Sequence, residues 1–211
     1  MKKILVCVML LSLTIGMAAC GNRNKENDQN QSTQPSTTQT QSTQQTQTQS
    51  QTETQQGNYG NSPELQNLKT AVVDVLGENY WPNMTIDTQV LADMYGITED
   101  MYDDYLAEMP MISTNVDTLI IIKAKEGKVS TVEEALNAYR DSMVNSTNQY
   151  PMNVGKIQAS RIETFDNYVC FVQLGADVTK AMDQGEDVVI TQCQEENEKA
   201  LDAIRNALQN Q

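Results

Sequence analysis

Residues 116–124 read Val-Asp-Thr-Leu-Ile-Ile-Ile-Lys-Ala. Successive side chains of a strand point to opposite faces. Four apolar residues in a row, Leu119 to Ile122, therefore predict a strand covered on both faces. Glu126-Gly127 supplies a turn after it. Ser130-Thr131-Val132-Glu133 then reads as a capping box, continued as a helix through Val132, Leu136, Tyr139 and Met143. Ile157–Thr164 and Tyr168–Leu174 read as paired strands joined at Phe165-Asp166-Asn167. Ala200, Leu201, Ile204 and Leu208 mark a last amphipathic helix. The expected core order is strand–helix–strand–strand–helix. That is an α+β fold with a small antiparallel sheet backed by helices. Between Leu174 and the last helix, Val178–Met182 fits a helix and Val188–Ile190 fits a short fourth strand. With that strand the order approaches a ferredoxin-like fold.

Upstream, three helices are expected. Ser62-Pro63-Glu64 places a capping hydroxyl before a proline at the first helical position. Leu65, Leu68, Val72, Val75 and Leu76 follow at helical spacing, and Gly77 ends the run. Asp87 caps a short helix through Val90, Leu91, Met94 and Tyr95, closed by Gly96. Thr98 reads as the cap of a third. Its Met101, Tyr102, Tyr105, Leu106 and Met109 share one face, and Pro110 ends it.

The domain is preceded by two unlike segments. Residues 1–20 have Lys2 and Lys3 before an apolar run from Ile4 to Ile15, then Gly16, Ala18 and Ala19 before Cys20. A basic start, a short apolar centre and a small-residue end predict a secretory signal. The apolar run falls short of the ~20 residues that span a bilayer. Residues 21–60 are a tether. Gln31 to Gln56 is almost wholly Gln, Thr and Ser, broken by Pro35 and Glu53. Burial there cannot offset an ordering cost of roughly 1–2 kcal/mol per residue, so disorder is expected. O-glycosylation or Gln-rich self-association are further readings of the same composition. Residues 61–211 form the single expected globular domain.

Charge and composition exclude several functions. The chain carries 14 basic and 28 acidic side chains and no histidine. Residues 61–211 alone hold 10 basic and 25 acidic side chains, a net −15. Nucleic-acid binding depends on Lys and Arg neutralising phosphates, so no nucleic-acid partner is expected. Without histidine there is no Ser–His–Asp or Cys–His machinery and no His-based zinc site. Asp100, Asp103 and Asp104 would be neighbours on the expected third helix. No calcium-loop pattern accompanies them, and a solvated face accounts for them. No metal, cofactor or catalytic residue is assigned. Cys170 and Cys193 remain beyond the signal and Cys20. Export would permit a disulfide between them, while a mid-strand Cys170 also fits a buried free thiol. Tyr80-Trp81-Pro82 is the candidate binding patch. Its rings have broad apolar faces with polar tips, which suits either a ligand or a plug at one end of the core.

Two resemblances sharpen this picture. Met17-Ala18-Ala19-Cys20 resembles the lipobox of bacterial lipoproteins. The likeness implies cleavage before Cys20, a diacylglycerol on its thiol, and a lipid-anchored extracytoplasmic location. Further on, Tyr95-Gly96-Ile97, Tyr105, Met109-Pro110-Met111 and Leu119 to Lys125 resemble the domain of unknown function 4358, found in lipoproteins of Gram-positive anaerobes. That likeness runs roughly from Leu65 to Leu174 and into the final helix. Ala176–Gln194 is longer than the family pattern. No activity is carried by it. The expectation is a lipid-anchored, non-enzymatic binding module whose partner is an envelope protein or glycan. A carboxylate-based enzyme on envelope material and a small solute-capture lipoprotein are the alternatives.

Overall fold

The strand expected at 116–124 forms at Thr118–Ala124 and is the central member of a five-stranded sheet. The computed structural model describes residues 60–175 and 177–210, which fall in one compact unit. The expected signal, Cys20 and all of the tether except its last residue lie outside the described residues. The strands are β1 (Met84–Thr85), β2 (Tyr102–Met109), β3 (Thr118–Ala124), β4 (Arg161–Phe165) and β5 (Tyr168–Gln173). They pair antiparallel throughout in the order β1-β2-β3-β5-β4. The helices are α1 (Pro63–Leu76), α2 (Thr88–Tyr95), α3 (Val129–Val144), α4 (Pro151–Ala159), α5 (Thr179–Met182) and α6 (Glu186–Gln209).

Two cores lie on opposite faces of the sheet. Leu119 and Ile121 of β3, with Cys170 and Val172 of β5, pack under α1 and α6. Ile120 and Ile122, with Val169 and Phe171, pack under α2 and α3. The four-residue apolar run is thus divided two and two by strand alternation. Each fully buried Ile or Leu contributes roughly 1.5–3 kcal/mol relative to exposure.

The first two helices form as their caps require. Ser62 Oγ accepts from the Leu65 N–H, and Asp87 Oδ1 accepts from the Val90 N–H at 2.8 Å. Gly96 ends α2 at φ 71°, a conformation glycine adopts without a Cβ clash.

Four local expectations are corrected. The run from Thr98 to Met109 is a turn followed by strand β2, not a helix. A bulge between Tyr102 and Asp104 shifts the register. It brings Tyr102 and Tyr105 to the same face, where their rings meet edge-on at 5.1 Å. Three-residue spacing on one face mimics a helix, and a bulge produces it within a strand. The pairing with β3 decides the outcome.

Secondly, α3 starts at Val129 after Lys128, and no side chain caps it. Ser130 is already its second residue, so the expected capping box is not used. Thirdly, Ile157 to Ala159 belong to α4, and the strand begins only at Arg161. Pro151 opens α4 at its first position. Lastly, Val188–Ile190 lies in α6 and forms no strand. The ferredoxin-like order, which required that strand, is not made. The sheet position beside β3 is taken instead by β2, from the N-terminal side.

Candidate functional site

The site begins with an unusual helix. The inward residues of α4 include Asn153, Gly155 and Lys156 beside Ile157 and Ala159. Lys156 is 2% exposed and Asp117 is 0% exposed. Lys156 Nζ lies 2.5 Å from Asp117 Oδ1 and 3.5 Å from Asn115 Oδ1. Removing two charges from water costs several kcal/mol each, and only close pairing compensates it. Asn115 Oδ1 also accepts from the Asp117 N–H, and Asn153 Nδ2 donates to Thr114 O. The loop 111–117 is therefore tied to α4 through amide and charged groups.

Gly175 makes room for this arrangement. A Cβ there would stand 2.5 Å from Cys193 Sγ and 3.1 Å from Lys156 Cγ. Gly155 does the same on α4, where a Cβ would stand 2.5 Å from Val189 Cγ1 of α6. Close approach of α4 to α6 thus depends on a missing side chain.

Above the buried pair lies a cleft of about 480 Å³. Trp81 and Tyr80, the candidate patch, both line it. A single 3-10 turn at Gly77–Asn79 delivers them from the end of α1. Trp81 is 38% exposed, donates its indole N–H to Glu78 O, and lies with Lys156 Nζ 4.9 Å from its ring centroid. Tyr80 donates its hydroxyl to Glu108 Oε2 at 2.7 Å, and Lys69 holds Glu108 Oε1. Burial, then the Glu108 charge, pushes the Tyr80 hydroxyl far above its ordinary pKa. Tyr80 is thus the anchored member of the pair and Trp81 the presented one.

The other walls are mostly apolar. Ile112, Met152 and Met182 line the cleft and are 68%, 46% and 40% exposed. With Trp81, four exposed large apolar side chains face one hollow. Single exposed apolar residues are ordinary, whereas convergent ones mark sites. The polar lining residues include Asn83, Asn115, Asn153, Thr114, Thr179, Lys156 and Asp177. Asp177 is held below the usual carboxylate range, first by hydrogen bonds from Thr179 and then by Lys156 and Lys180.

The remaining candidates sit elsewhere. Asp100 accepts from Thr98 and Lys128, which hold it at about 2. Asp104 Oδ1 accepts from the Gly60 and Tyr105 N–H groups. The helix that would have aligned these acids does not form. Among the described residues no group of three or more His, Cys, Asp or Glu side chains is placed to hold a metal ion. Cys170 and Cys193 are both buried and free. Burial pushes the Cys193 thiol up to about 12 and the Cys170 thiol higher still.

The sequence marked Tyr80 and Trp81 but missed Asp117, Asn153, Lys156, Asp177 and Met182. The signals for the missed α4 were Pro151 at a helix start and Gly155 within it. No apolar stripe announces that helix, because its inner face is partly polar.

The match to known families follows this anatomy. Residues 76–174 match the family model described as Domain of unknown function (DUF4358). The match supports the resemblance carried by Tyr95-Gly96-Ile97, Met109-Pro110-Met111 and the β3 run. It spans all five strands, α2, α3 and α4. It stops short of most of α1 and of all of α5 and α6, so its bounds are narrower than the expected ones. The DUF4358 match includes every cleft residue from Tyr80 to Lys156, while the Asp177–Met182 wall lies past its end. No curated protein and no solved structure matches the chain. Among the described residues no helix is long and apolar enough to cross a membrane.

Proposed function

We propose that this chain is an envelope binding module, held outside the cell membrane by a lipid on Cys20 and presenting the Trp81 cleft to its partner. The carrying observation is the convergence of Trp81, Ile112, Met152 and Met182 on one hollow of about 480 Å³. An apolar cleft with a few fixed polar groups is the usual form of a binding site. The signal and Cys20 motif support the location, and the Gln/Thr/Ser segment supports a tether.

Photo-crosslinking in intact cells tests the reading. A benzophenone amino acid replaces Met152 in the full chain, and in a second strain Met94, an exposed residue of α2 outside the cleft lining. Envelope adducts are expected from the first position and not the second. Adducts from neither, or equally from both, would remove the cleft from consideration. Mass spectrometry should find the mature N-terminus at Cys20 carrying diacylglycerol. A free N-terminus elsewhere refutes the anchor.

The cleft volume also lies in the range of small-ligand pockets, which favours solute capture as the second reading. A native-state ligand raises the melting temperature, so a thermal-shift screen with sugars and amino acids separates it from a macromolecular partner. A carboxylate enzyme would need two acids of raised pKa in one pocket. The acid lining the cleft, Asp177, is shifted downward.

A further inference from the structure

Resting on the cleft being the binding site, we infer that its occupant is a basic, apolar polypeptide segment of an envelope partner. A second hollow of about 260 Å³ adjoins the cleft, and Met182 lines both. Pro151 to Lys156 alternate between them, with Met152, Asn153 and Lys156 facing one and Pro151, Val154 and Gly155 facing the other. Met182 borders both hollows, so an occupant that reaches both is extended rather than compact. Methionine suits such a surface, since its unbranched, polarisable side chain adapts to varied apolar partners.

Lys156 is matched by Asp117 beneath the floor, so its ammonium brings no net positive charge to the cleft. Asp177 lines the larger hollow and stays ionised, and Glu186 lines the smaller. Residues 177–187 hold four acids against Lys180, in a domain of net charge −15. This field repels an acidic segment and attracts a basic one. A neutral glycan would satisfy the amides but gain nothing from that charge.

Trp81 is the only tryptophan of the chain, so its emission reports the cleft directly. The protein from Gly21 onward, which contains the whole described unit, is titrated with four probes. These are short leucine–lysine, leucine–glutamate and serine–lysine peptides and an N-acetylglucosamine oligomer. The leucine–lysine peptide is expected to shift Trp81 emission and to bind at least about tenfold more tightly than the other three. Met182→Arg and Ile112→Arg, both at exposed positions, should each weaken it by about tenfold, and Asp177→Lys should abolish the preference over leucine–glutamate. Circular dichroism confirms that each variant is folded. Equal binding of the leucine–glutamate peptide overturns the charge argument. Equal binding of the serine–lysine peptide overturns the apolar one. A response to the oligomer alone overturns the polypeptide and leaves the cleft as a site. No emission change with any probe overturns the inference, and absent crosslinks at Met152 beside it overturn the reading beneath as well.

Discussion

Each half of this domain contains one buried thiol, and the two surroundings differ. Cys170 lies in β5 within the core under α1 and α6, among Leu119, Ile121, Val172 and the leucines of α1. Cys193 lies in α6 within a small cluster of Ala159, Val178, Ala181 and Val189. The first environment is broad and apolar. The second is thin, borders the buried Lys156–Asp117 pair, and reaches the cleft through Val178. Apolar burial is concentrated about the sheet, and the buried ion pair lies at its α4–α5 end. The proposed binding surface would then draw on the region with the smaller apolar cluster, a common arrangement.

The largest expected effect concerns the buried pair. Lys156→Met leaves Asp117 buried without its ammonium and should cost about 3–5 kcal/mol in urea unfolding. The double variant Lys156→Met/Asp117→Leu should recover most of that loss, because no charge remains to be desolvated. In the sheet, Ile121→Ala should cost about 2–5 kcal/mol through a cavity, and no polar second change can recover it. If the double variant is as unstable as the single, the pair is not the separate polar device described.

An overpacking change comes next. Gly155→Ala places a methyl 2.5 Å from Val189 Cγ1 and should cost about 1–3 kcal/mol. Adding Val189→Ala should restore part of it. Recovery would show that the cost comes from the clash with Val189, and so that the close approach of α4 to α6 depends on the missing side chain.

How the two regions read from sequence follows the same division. The sheet centre was legible because Leu119 to Ile122 and Tyr168 to Leu174 are apolar runs whose burial needs no partner chemistry. The caps at Ser62 and Asp87 were legible because they act within a few residues. β2 was misread because a bulge gave its tyrosines helical spacing. The start of α3 was misread because no side chain caps it, and α4 was missed because its inner face is partly polar. In the site, Trp81 stood out as a lone large ring. Lys156 and Asp117, separated by 39 residues, carry no local sign that they meet. Their pairing arises only from where the sheet places α4.

Thiol reactivity measures the contrast more finely. From Gly21 onward, Cys170 and Cys193 are the only cysteines. Both thiols are protonated at mildly alkaline pH, since burial raises them well above the ordinary value. Labelling therefore requires opening. In native protein Cys193 should react with a disulfide reagent at least about tenfold faster than Cys170, which corresponds to about 1.4 kcal/mol less opening free energy. The variants Cys170→Ala and Cys193→Ala assign the two rates. Equal rates would mean that both regions open only in global unfolding, and the domain would be a single cooperative unit.

The smallest effect lies on the sheet side. Glu64 of α1 accepts from Lys123 of β3 at 2.5 Å and from the Tyr168 hydroxyl of β5. The Lys123 hydrogen bond, then that of Tyr168, holds the Glu64 carboxyl below its ordinary 4.5. The folded state therefore releases this proton more readily than the unfolded one, and the link stabilises the fold in full above 4.5. The contribution disappears as pH falls through the folded value. Lys123 is shifted upward by the same contact, so its share is complete below 10.5 and is lost as pH rises past the folded value. Both side chains are about a third exposed, at 33% and 30%, which limits the pair to a few tenths of a kcal/mol and at most about 1. Glu64→Gln should lower the melting temperature slightly at neutral pH. The difference should shrink as pH falls below 4.5 and vanish once pH has passed the lowered folded value. A difference that persists in acid would show that α1 is held to the sheet by the shape of the side chain rather than by its charge.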